Sequence, residues 1–208
     1  MFEVRNHILH KDGVPVAQRP SPNRGGVLKP SLLVMHYTGS TSFDGGLRAL
    51  TDGKAEKRVS AHLLIGEDGC VAQLVPFNRI AWHAGESVWH GRQLCNSFSV
   101  GIEMVNAGLL GKRADGVFYE RLTSKTIPAS RVALARHKNG SPEEPWEVYP
   151  PAQIEAAIGA AIAICGAYGI HEIAGHDDIA PRRKIDPGPA FPMVSFQARV
   201  LGRDGKPR

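Results

Sequence analysis

Two apolar segments in the first half of the chain predict β-structure. Residues 31–36 form one continuous apolar run of strand length, which is typical of a strand buried in the centre of a sheet. Residues 62–75 hold two shorter apolar stretches on either side of Asp68 and Gly69. Because glycine tolerates the positive φ that a tight turn needs, this second segment predicts a β-hairpin.

A third segment, residues 99–105, alternates large apolar residues with Gly101 and Glu103. Successive side chains of a strand point to opposite faces, so Glu103 is predicted on the face opposite the apolar residues. A carboxylate is rarely buried without a partner. Glu103 is therefore expected either at an exposed end of the strand or in a functional site.

Two further segments predict helices. Residues 44–57 indicate a short helix, and residues 151–168 carry the strongest helical pattern in the chain. Pro151 suits the first turn of the longer helix, and Gly169 suits its C-terminal end. The apolar face that we expect to pack on the sheet consists of Ile154, Ile158, Ile162 and Cys165. Together these elements predict an α+β fold, with a central mixed β-sheet flanked by helices.

The length of 208 residues favours one domain, residues 1–208, and 42% hydrophobic residues are enough for a sizeable core. Residues 1–30 are rich in proline, glycine and arginine, and we interpret them as an N-terminal arm that wraps the domain. Residues 107–150 have weak periodicity and predict a long surface excursion that lies over the site. Residues 193–208 are expected to form a C-terminal tail.

The net charge of +5 suits an anionic partner such as nucleic acid, lipid headgroups or a carboxylate-bearing polymer. The chain has no run of five or six basic residues, which argues against nucleic acid. It also lacks a visible secretory signal and a long apolar stretch, so no membrane insertion is expected. Three cysteines without a CxxC pair argue against a disulfide scaffold or a thiolate zinc site. These features predict a cytoplasmic monomer, with release by lysis or dedicated export left open.

The candidate chemistry lies in His36, His176 and Asp186. Two histidines and one carboxylate are sufficient to hold a catalytic Zn²⁺ with one open position for water. Lys184 precedes Asp186 by two residues, so in an extended segment both side chains project to the same face. Considered one at a time, a histidine in such a position is more often structural or exposed than a metal ligand.

Five segments in a fixed order resemble the zinc-dependent N-acetylmuramoyl-L-alanine amidases of the type-2 amidase family, and within it the AmpD-like enzymes. The resemblance covers roughly residues 30–192. The segments that carry it are LVMH at 33–36, SAHLLI at 60–65, AWHAG at 81–85, CNSFSVGIE at 95–103 and GHDDIAPRRKIDPGPAF at 175–191.

The resemblance implies a role for each matching residue. His36, His176 and Asp186 match the three zinc ligands, and Asp186 stands where some branches of the family have cysteine. Glu103 matches the acidic residue that takes a proton from the attacking water, and Lys184 matches the residue that stabilises the oxyanion. The residues expected to face the substrate are Trp82, His83, Asn96, Asn106 and Arg182.

The implied partners are peptidoglycan fragments or sacculi, and the implied reaction cleaves the amide bond between N-acetylmuramic acid, or its 1,6-anhydro form, and L-alanine. Two alternatives remain open from the sequence. A peptidoglycan-binding module without activity is disfavoured because such modules typically lack metal ligands. A zinc peptidase of the stem peptide shares the same metal chemistry and is separated only by its products.

Three polar residues near these motifs favour structural roles. His62 precedes an apolar run and is interpreted as a buried histidine whose ring nitrogens are hydrogen-bonded. Asp177 and Asp178 follow His176 directly, where we expect a cap on the following turn, with support of His176 as the alternative.

Overall fold

The computed structural model describes residues 1–56, 58–140 and 142–202. Its first nine strands are β1 (Phe2–Arg5), β2 (Ile8–Lys11), β3 (Val14–Pro15), β4 (Ala17–Gln18), β5 (Arg24–Val27), β6 (Leu32–Tyr37), β7 (Leu63–Ile65), β8 (Val71–Gln73) and β9 (Arg79–Ala81). The later strands are β10 (Val88–Trp89), β11 (Arg92–Gln93), β12 (Ser99–Met104), β13 (Gly111–Lys112), β14 (Phe118–Tyr119), β15 (Thr126–Ile127), β16 (Val132–Arg136), β17 (Glu143–Glu147) and β18 (Ile173–Gly175). The helices are α1 (Phe43–Thr51), α2 (Pro151–Tyr168), α3 (His176–Ile179) and α4 (Met193–Leu201), and 3-10 turns cover Cys95–Ser97 and Ala129–Arg131.

A six-stranded sheet in the order β18-β6-β12-β7-β8-β4 forms the centre of the molecule. Strands β18, β6, β12 and β7 run parallel to one another, whereas β7 and β8 form an antiparallel hairpin. The hairpin turns at Gly69, whose φ is +81°, as the sequence predicted. The predicted α+β class with a mixed central sheet is therefore confirmed.

Strands β6 and β12 have two different faces. Leu33 and Met35 of β6 join Val100, Ile102 and Met104 of β12 in the main hydrophobic core, which also contains residues of α2. The intervening residues face the other way, where Leu32 and Val34 belong to a smaller cluster. The period-two alternation predicted for 99–105 is thus present, and Glu103 lies on the side away from α2.

Helix α2 has the bounds that the sequence predicted, because Gly169 at its end adopts φ +64° and stops the helix. Its buried residues include the predicted Ile158 and Cys165, but the innermost contacts are made by Ala157, Ala160, Ala161 and Ile164. Three of these four residues are alanines, while the predicted Ile154 and Ile162 are only partly buried at the border of the core. By length and composition α2 is also apolar enough to cross a membrane.

The first 30 residues attach to the domain at several points. The small sheet β1-β2-β3 lies against α2, where the ring of Phe2 approaches Gly159. Strand β4 pairs in parallel with β8 and so becomes one edge of the central sheet. Strand β5 pairs with β9. Leu9 and Leu28 from this arm are buried in the main core.

Two predicted boundaries need correction. Helix α1 ends at Thr51, well short of residue 57, which lies outside the described residues, because Asp52 and Gly53 break the helical backbone. Residues 193–201 of the expected tail form α4, whose Phe196 and Val200 are fully buried against the core shared with α2. Residues 203–208 of that tail lie outside the described residues.

Candidate metal centre and active-site cleft

Three parallel strands bring the candidate residues together at the carboxyl ends of the strands. In the pairing of β12 with β6, Glu103 lies opposite His36, one residue before the end of each strand. In the pairing of β18 with β6, Gly175 lies opposite Met35, so His176 follows directly at the same edge. The carboxyl ends of parallel strands are a common location for functional sites.

His36, His176 and Asp186 form a compact, buried cluster. His36 Nδ1 lies 2.9 Å from His176 Nδ1 and 3.1 Å from Asp186 Oδ2. His176 Nδ1 lies 3.0 Å from the same carboxylate oxygen. Ligand atoms bound to one tetrahedral zinc ion are about 3.4 Å apart, given metal–ligand bonds of about 2.1 Å. The three side chains therefore fit a zinc ion.

The ring nitrogens that face away from this cluster have their own hydrogen-bond partners. His176 Nε2 lies 3.0 Å from the carbonyl oxygen of Ala84, which only a protonated nitrogen can engage. His36 Nε2 lies 2.9 Å from His83 Nδ1, and His83 Nε2 lies 3.4 Å from the carbonyl oxygen of Ser99. A hydrogen bond from the outer nitrogen of this kind fixes the ring and leaves Nδ1 free to bind metal.

The electrostatics of the cluster also suit metal binding. Burial, together with the neighbouring His176, lowers the pKa of His36 to about 4, so its ring is neutral at neutral pH. Burial opposes ionisation of Asp186, but the close contacts of its carboxyl group with the rings of His176 and His36 outweigh burial and lower the pKa of this group. Neutral imidazoles and an ionised carboxylate are the forms that bind Zn²⁺.

Glu103 and Lys184 line the same cleft as His176 and Asp186. The side chain of Glu103 reaches the cleft, but its Oε2 is buried with no hydrogen-bond partner among the residues that the structure describes. Burial raises the pKa of Glu103 to about 8; the charge of Asp186 adds to this effect and Lys184 opposes it. This carboxyl group is therefore poised to bind and release a proton near neutral pH.

The cleft has a volume of about 370 Å³. Helix α1 contributes Gly46 and Leu50 to one wall, and the segment around Trp82 forms another. The site therefore combines a metal-binding cluster, a carboxyl group with a raised pKa and an ammonium group in one open groove.

The profile of the family described as N-acetylmuramoyl-L-alanine amidase matches residues 26–189. This chain belongs to that family. The matched range contains the metal cluster, Glu103 and Lys184, so the geometry of the site and the family assignment concern the same part of this amidase.

Curated relatives agree with the assignment. The amidase is 34% identical over 188 residues to the 1,6-anhydro-N-acetylmuramyl-L-alanine amidase AmpD of Citrobacter freundii, covering 82% of this chain and 81% of AmpD. It is also 34% identical over 180 residues to the N-acetylmuramoyl-L-alanine amidase AmiD of Escherichia coli. That match covers 82% of this chain but only 53% of AmiD, so the chain spans about half the length of that relative.

A solved structure of Escherichia coli AmiD in complex with the substrate anhydro-N-acetylmuramic acid-L-Ala-D-γ-Glu-L-Lys has the same fold. It superposes with a TM-score of 0.62 at 32% identity, covering 97% of this chain and 66% of that structure.

His83 has a different position from the one expected of a substrate-facing residue of the amidase. It borders the cleft, but its ring packs behind His36 and over Gly101 of β12. A Cβ atom at Gly101 would overlap the imidazole of His83, so the glycine makes this close approach possible. The main contacts of His83 therefore support a metal ligand.

Trp82 lines the cleft, as expected of a substrate-facing residue, and the guanidinium of Arg58 lies 5.7 Å from its ring centroid. Asn96 has a structural role instead. Its Oδ1 accepts hydrogen bonds from the backbone N–H groups of His83 and Ala84, at 3.0 and 2.8 Å. Asn96 thus holds the segment that supports both histidine ligands.

Asn106 does not face the cleft, contrary to the prediction. It is fully buried, and its amide nitrogen donates to the carbonyl oxygens of Glu147 and Val148. Its Oδ1 accepts from the N–H group of Gly108 at 2.7 Å. These bonds anchor the beginning of the 107–150 segment to its end.

Arg182 is exposed and borders a neighbouring depression rather than the cleft. The substrate-facing position predicted for Arg182 is occupied by Arg183 instead. Arg183 lines the cleft and donates to the carbonyl oxygens of Ala84 and Glu86, at 2.7 and 2.6 Å. The arginine pair was visible in the sequence, but a one-residue difference in orientation cannot be read from composition.

Several lining residues carried little sequence signal. The cleft is also bordered by Tyr37, Thr38, Val59, Ser60 and Ile185. Their positions next to His36, His62 and Asp186 in the chain are the signal that could have identified them.

Proposed function

We propose that this amidase is a zinc-dependent hydrolase that cleaves the amide bond between N-acetylmuramic acid, or its 1,6-anhydro form, and L-alanine. Its substrates are peptidoglycan or the muropeptides derived from it. The observation that carries the proposal is the position of Glu103, which lies in register with His36 at the ends of adjacent strands and has a buried, unpartnered carboxylate oxygen.

His36, His176 and Asp186 would hold the zinc ion, and no other group of potential ligands is recognised among the described residues. A zinc ion with three protein ligands acidifies water and polarises a carbonyl group, which an amide requires because it is a poor electrophile.

Glu103 and Lys184 supply the acid–base and electrostatic parts of the reaction. Because burial raises the pKa of Glu103 to about 8, both forms of this carboxyl group exist near neutral pH: the ionised form can take a proton from the attacking water, and the protonated form can give it to the departing amine of L-alanine. The ammonium group of Lys184 lies in the same cleft and stabilises the negative charge that develops on the carbonyl oxygen.

The proposed substrate also fits the walls of the cleft. The partly exposed ring of Trp82 offers a flat apolar surface for a sugar ring, and Arg58 next to it carries a charge suited to a carboxylate. A stem peptide carries several carboxylates, and the net charge of +5 favours its approach. The bound substrate of the AmiD structure, an anhydro-muropeptide, belongs to the same chemical class.

A peptidoglycan-binding module without activity is the less favoured alternative. Pure binding does not require an unpartnered buried carboxylate oxygen, which costs stability. The site retains Glu103, Lys184 and all three candidate metal ligands, and this combination favours hydrolysis. A zinc peptidase of the stem peptide would use the same groups and differs only in the bond that is cut.

The test is a product analysis with two substrates. Purified protein, loaded with zinc or stripped by a chelator, is incubated with intact sacculi and separately with soluble anhydro-muropeptides, and products are identified by mass. Release of complete stem peptides beginning with L-alanine, only in the presence of zinc, is the expected result. Shortened stem peptides would instead indicate the peptidase, and no cleavage by zinc-loaded protein would overturn the proposal.

The same assay separates the two biological settings. A recycling enzyme cleaves soluble anhydro-muropeptides much faster than sacculi, whereas a wall-directed lysin releases peptides from sacculi directly.

An Asp186→Ala variant tests the metal assignment. It should lose bound zinc and activity together, while Asp115→Ala, which removes an exposed carboxylate far from the cleft, keeps both. Full zinc content in Asp186→Ala would remove the ligand role of Asp186.

A further inference from the structure

The turn between strands β16 and β17 lies against the helix that begins with His176. This turn, defined here as the 137–139 turn (His137, Lys138 and Asn139), belongs to the 107–150 segment that was expected to lie over the site. Among the described residues of 107–150, none lines the cleft. The segment therefore reaches the metal centre from behind rather than covering the substrate.

Two side chains of the 137–139 turn hold the carboxylate of Asp177. His137 Nε2 lies 3.0 Å from Asp177 Oδ2, and Lys138 Nζ lies 2.9 Å from Asp177 Oδ1. The carboxylate is only 3% exposed and His137 is also buried, so water screens their contact little, whereas the Lys138 side chain is 45% exposed. Lys138 Nζ also lies 2.7 Å from Asp178 Oδ1.

A hydrogen bond within the turn shows that His137 is the donor in its contact with Asp177. The backbone N–H of Asn139 donates to His137 Nδ1 at 3.1 Å, so His137 Nε2 carries the proton that points at Asp177. Asn139 adds a second attachment, because its side-chain amide donates to the carbonyl oxygen of Asp177 at 3.0 Å. The turn thus holds both the side chain and the backbone of Asp177.

Asp177 connects the two metal ligands of this part of the chain. It follows His176 directly, and its backbone N–H donates to the carbonyl oxygen of Asp186 at 2.8 Å. Helix α3 has only four residues and cannot be stable by itself, since helix nucleation needs a longer segment or external contacts. Contacts from outside α3 must therefore hold His176 and Asp186 at their 3.0 Å separation.

We propose that the 137–139 turn is a positioning device that sets the geometry of the metal ligands His176 and Asp186 by holding Asp177 from behind, so that zinc affinity depends on it. This inference rests on the zinc site of the proposed function. Residues 137–139 touch neither metal nor substrate, and their effect passes through Asp177.

The test measures zinc affinity rather than activity. Lys138→Met and Asn139→Ala each remove contacts to Asp177, and Arg136→Met removes an exposed charge from the same hairpin as a matched control. The zinc dissociation constant is measured by competition with a chromophoric chelator, and the unfolding temperature is measured in the zinc-free protein. Loss of an outer support of a metal site costs about 10–100-fold in metal affinity, which is the effect we expect for Lys138→Met.

The variants also separate positioning from general stability. Lys138→Arg, which keeps the charge, should restore most of the affinity, and Arg136→Met should bind zinc as the wild type does. If Lys138→Met lowers the folded fraction of the zinc-free protein, Asn139→Ala decides, because it removes hydrogen bonds to carbonyl groups and leaves the contacts of His137 and Lys138 with the Asp177 carboxylate. We then expect weakened zinc binding in a protein that is folded without zinc.

Zinc affinities within twofold of the wild type in both Lys138→Met and Asn139→Ala would overturn the inference. The proposed function fails separately, since a wild-type protein that binds no zinc contradicts the metal site itself, whatever the variants do.

Discussion

The two faces of strands β6 and β12 are built from alternate residues of the same short segments, yet they have different roles. Toward α2, residues such as Met35 and Ile102 are fully buried among apolar side chains. On the other face, Glu103 lines the cleft and His36 lies opposite it on the neighbouring strand, with Gly101 leaving room for His83.

The difference shows how a rigid strand positions reactive groups. The α2 face supplies the hydrophobic free energy that holds the strands in place, and the cleft face can then carry a buried carboxylate and a neutral histidine at some cost in stability. If this division is correct, substitutions on the two faces should separate activity from stability.

The largest effect is expected on the cleft face, for Glu103→Gln. The amide cannot take the proton of the attacking water, so kcat should fall by roughly 10²–10⁴-fold. The free energy of unfolding should not decrease, because an amide avoids the cost that burial places on the ionisable carboxyl group, which is the cause of its raised pKa. Muropeptide turnover and urea denaturation measure the two effects, with zinc content expected to be unchanged. A variant with normal kcat would show that Glu103 is not the proton carrier.

On the opposite face, Ile102→Ala should do the reverse. This residue is fully buried, and its truncation leaves a cavity that lowers the free energy of unfolding by about 2–5 kcal/mol. The folded fraction should keep its kcat. Val194→Ala, at a valine that is 82% exposed, is the control and should change stability by less than about 0.5 kcal/mol. If Ile102→Ala instead abolished kcat in folded protein, the separation of the two faces would be wrong.

His62 should add a pH dependence to stability. Its Nδ1 accepts from the N–H of Gly101 and its Nε2 donates to the carbonyl oxygen of Arg79, as expected of a hydrogen-bonded buried histidine. Burial lowers the pKa of His62 from 6.5 to about 4. Between these values the unfolded chain binds a proton that the folded protein does not, so the free energy of unfolding falls as pH decreases, by on the order of 3 kcal/mol in total.

Urea denaturation of zinc-free protein from pH 7 to pH 4 measures this effect against a His62→Gln variant. The variant should be less stable at pH 7, because Gly101 loses its acceptor, but its stability should depend less on pH. Parallel curves for the two proteins would contradict the assignment of a neutral His62.

The smallest effect is expected for Gly101→Ala. The added methyl group overlaps the ring of His83 and displaces the support of His36, so zinc affinity should fall by about 10–100-fold. Gly166→Ala in α2 is the matched control, since a methyl group there meets no neighbouring atom, and it should leave zinc binding unchanged. Equal zinc affinity in both variants would show that His83 does not need its present position.

Local patterns predicted the elements that carry the site. The apolar run at 31–36 forms β6, the alternation at 99–105 forms β12, and α2 has the predicted bounds. These elements could be predicted because each hydrophobic pattern is contained within one segment of the chain. The three candidate metal ligands were predicted from the ordered motifs, and their side chains do lie together.

Long-range contacts account for what the sequence did not predict. Asn106 resembles a cleft residue by its position after β12, but carbonyl groups some forty residues later bury it. His83 was assigned to substrate because of the adjacent Trp82, while its partner His36 lies on another strand. Weak periodicity at 107–150 likewise gave no sign that the 137–139 turn would contact Asp177.

The short parallel strand β4 covers one edge of the central sheet by pairing with β8. An uncovered strand edge presents free N–H and C=O groups to other chains and promotes intermolecular pairing. By covering β8, the N-terminal arm thus reduces the tendency of the protein to aggregate, and it is also part of the fold. Removing the arm would expose the edge of β8 to other chains and would also take Leu9 and Leu28 out of the main core.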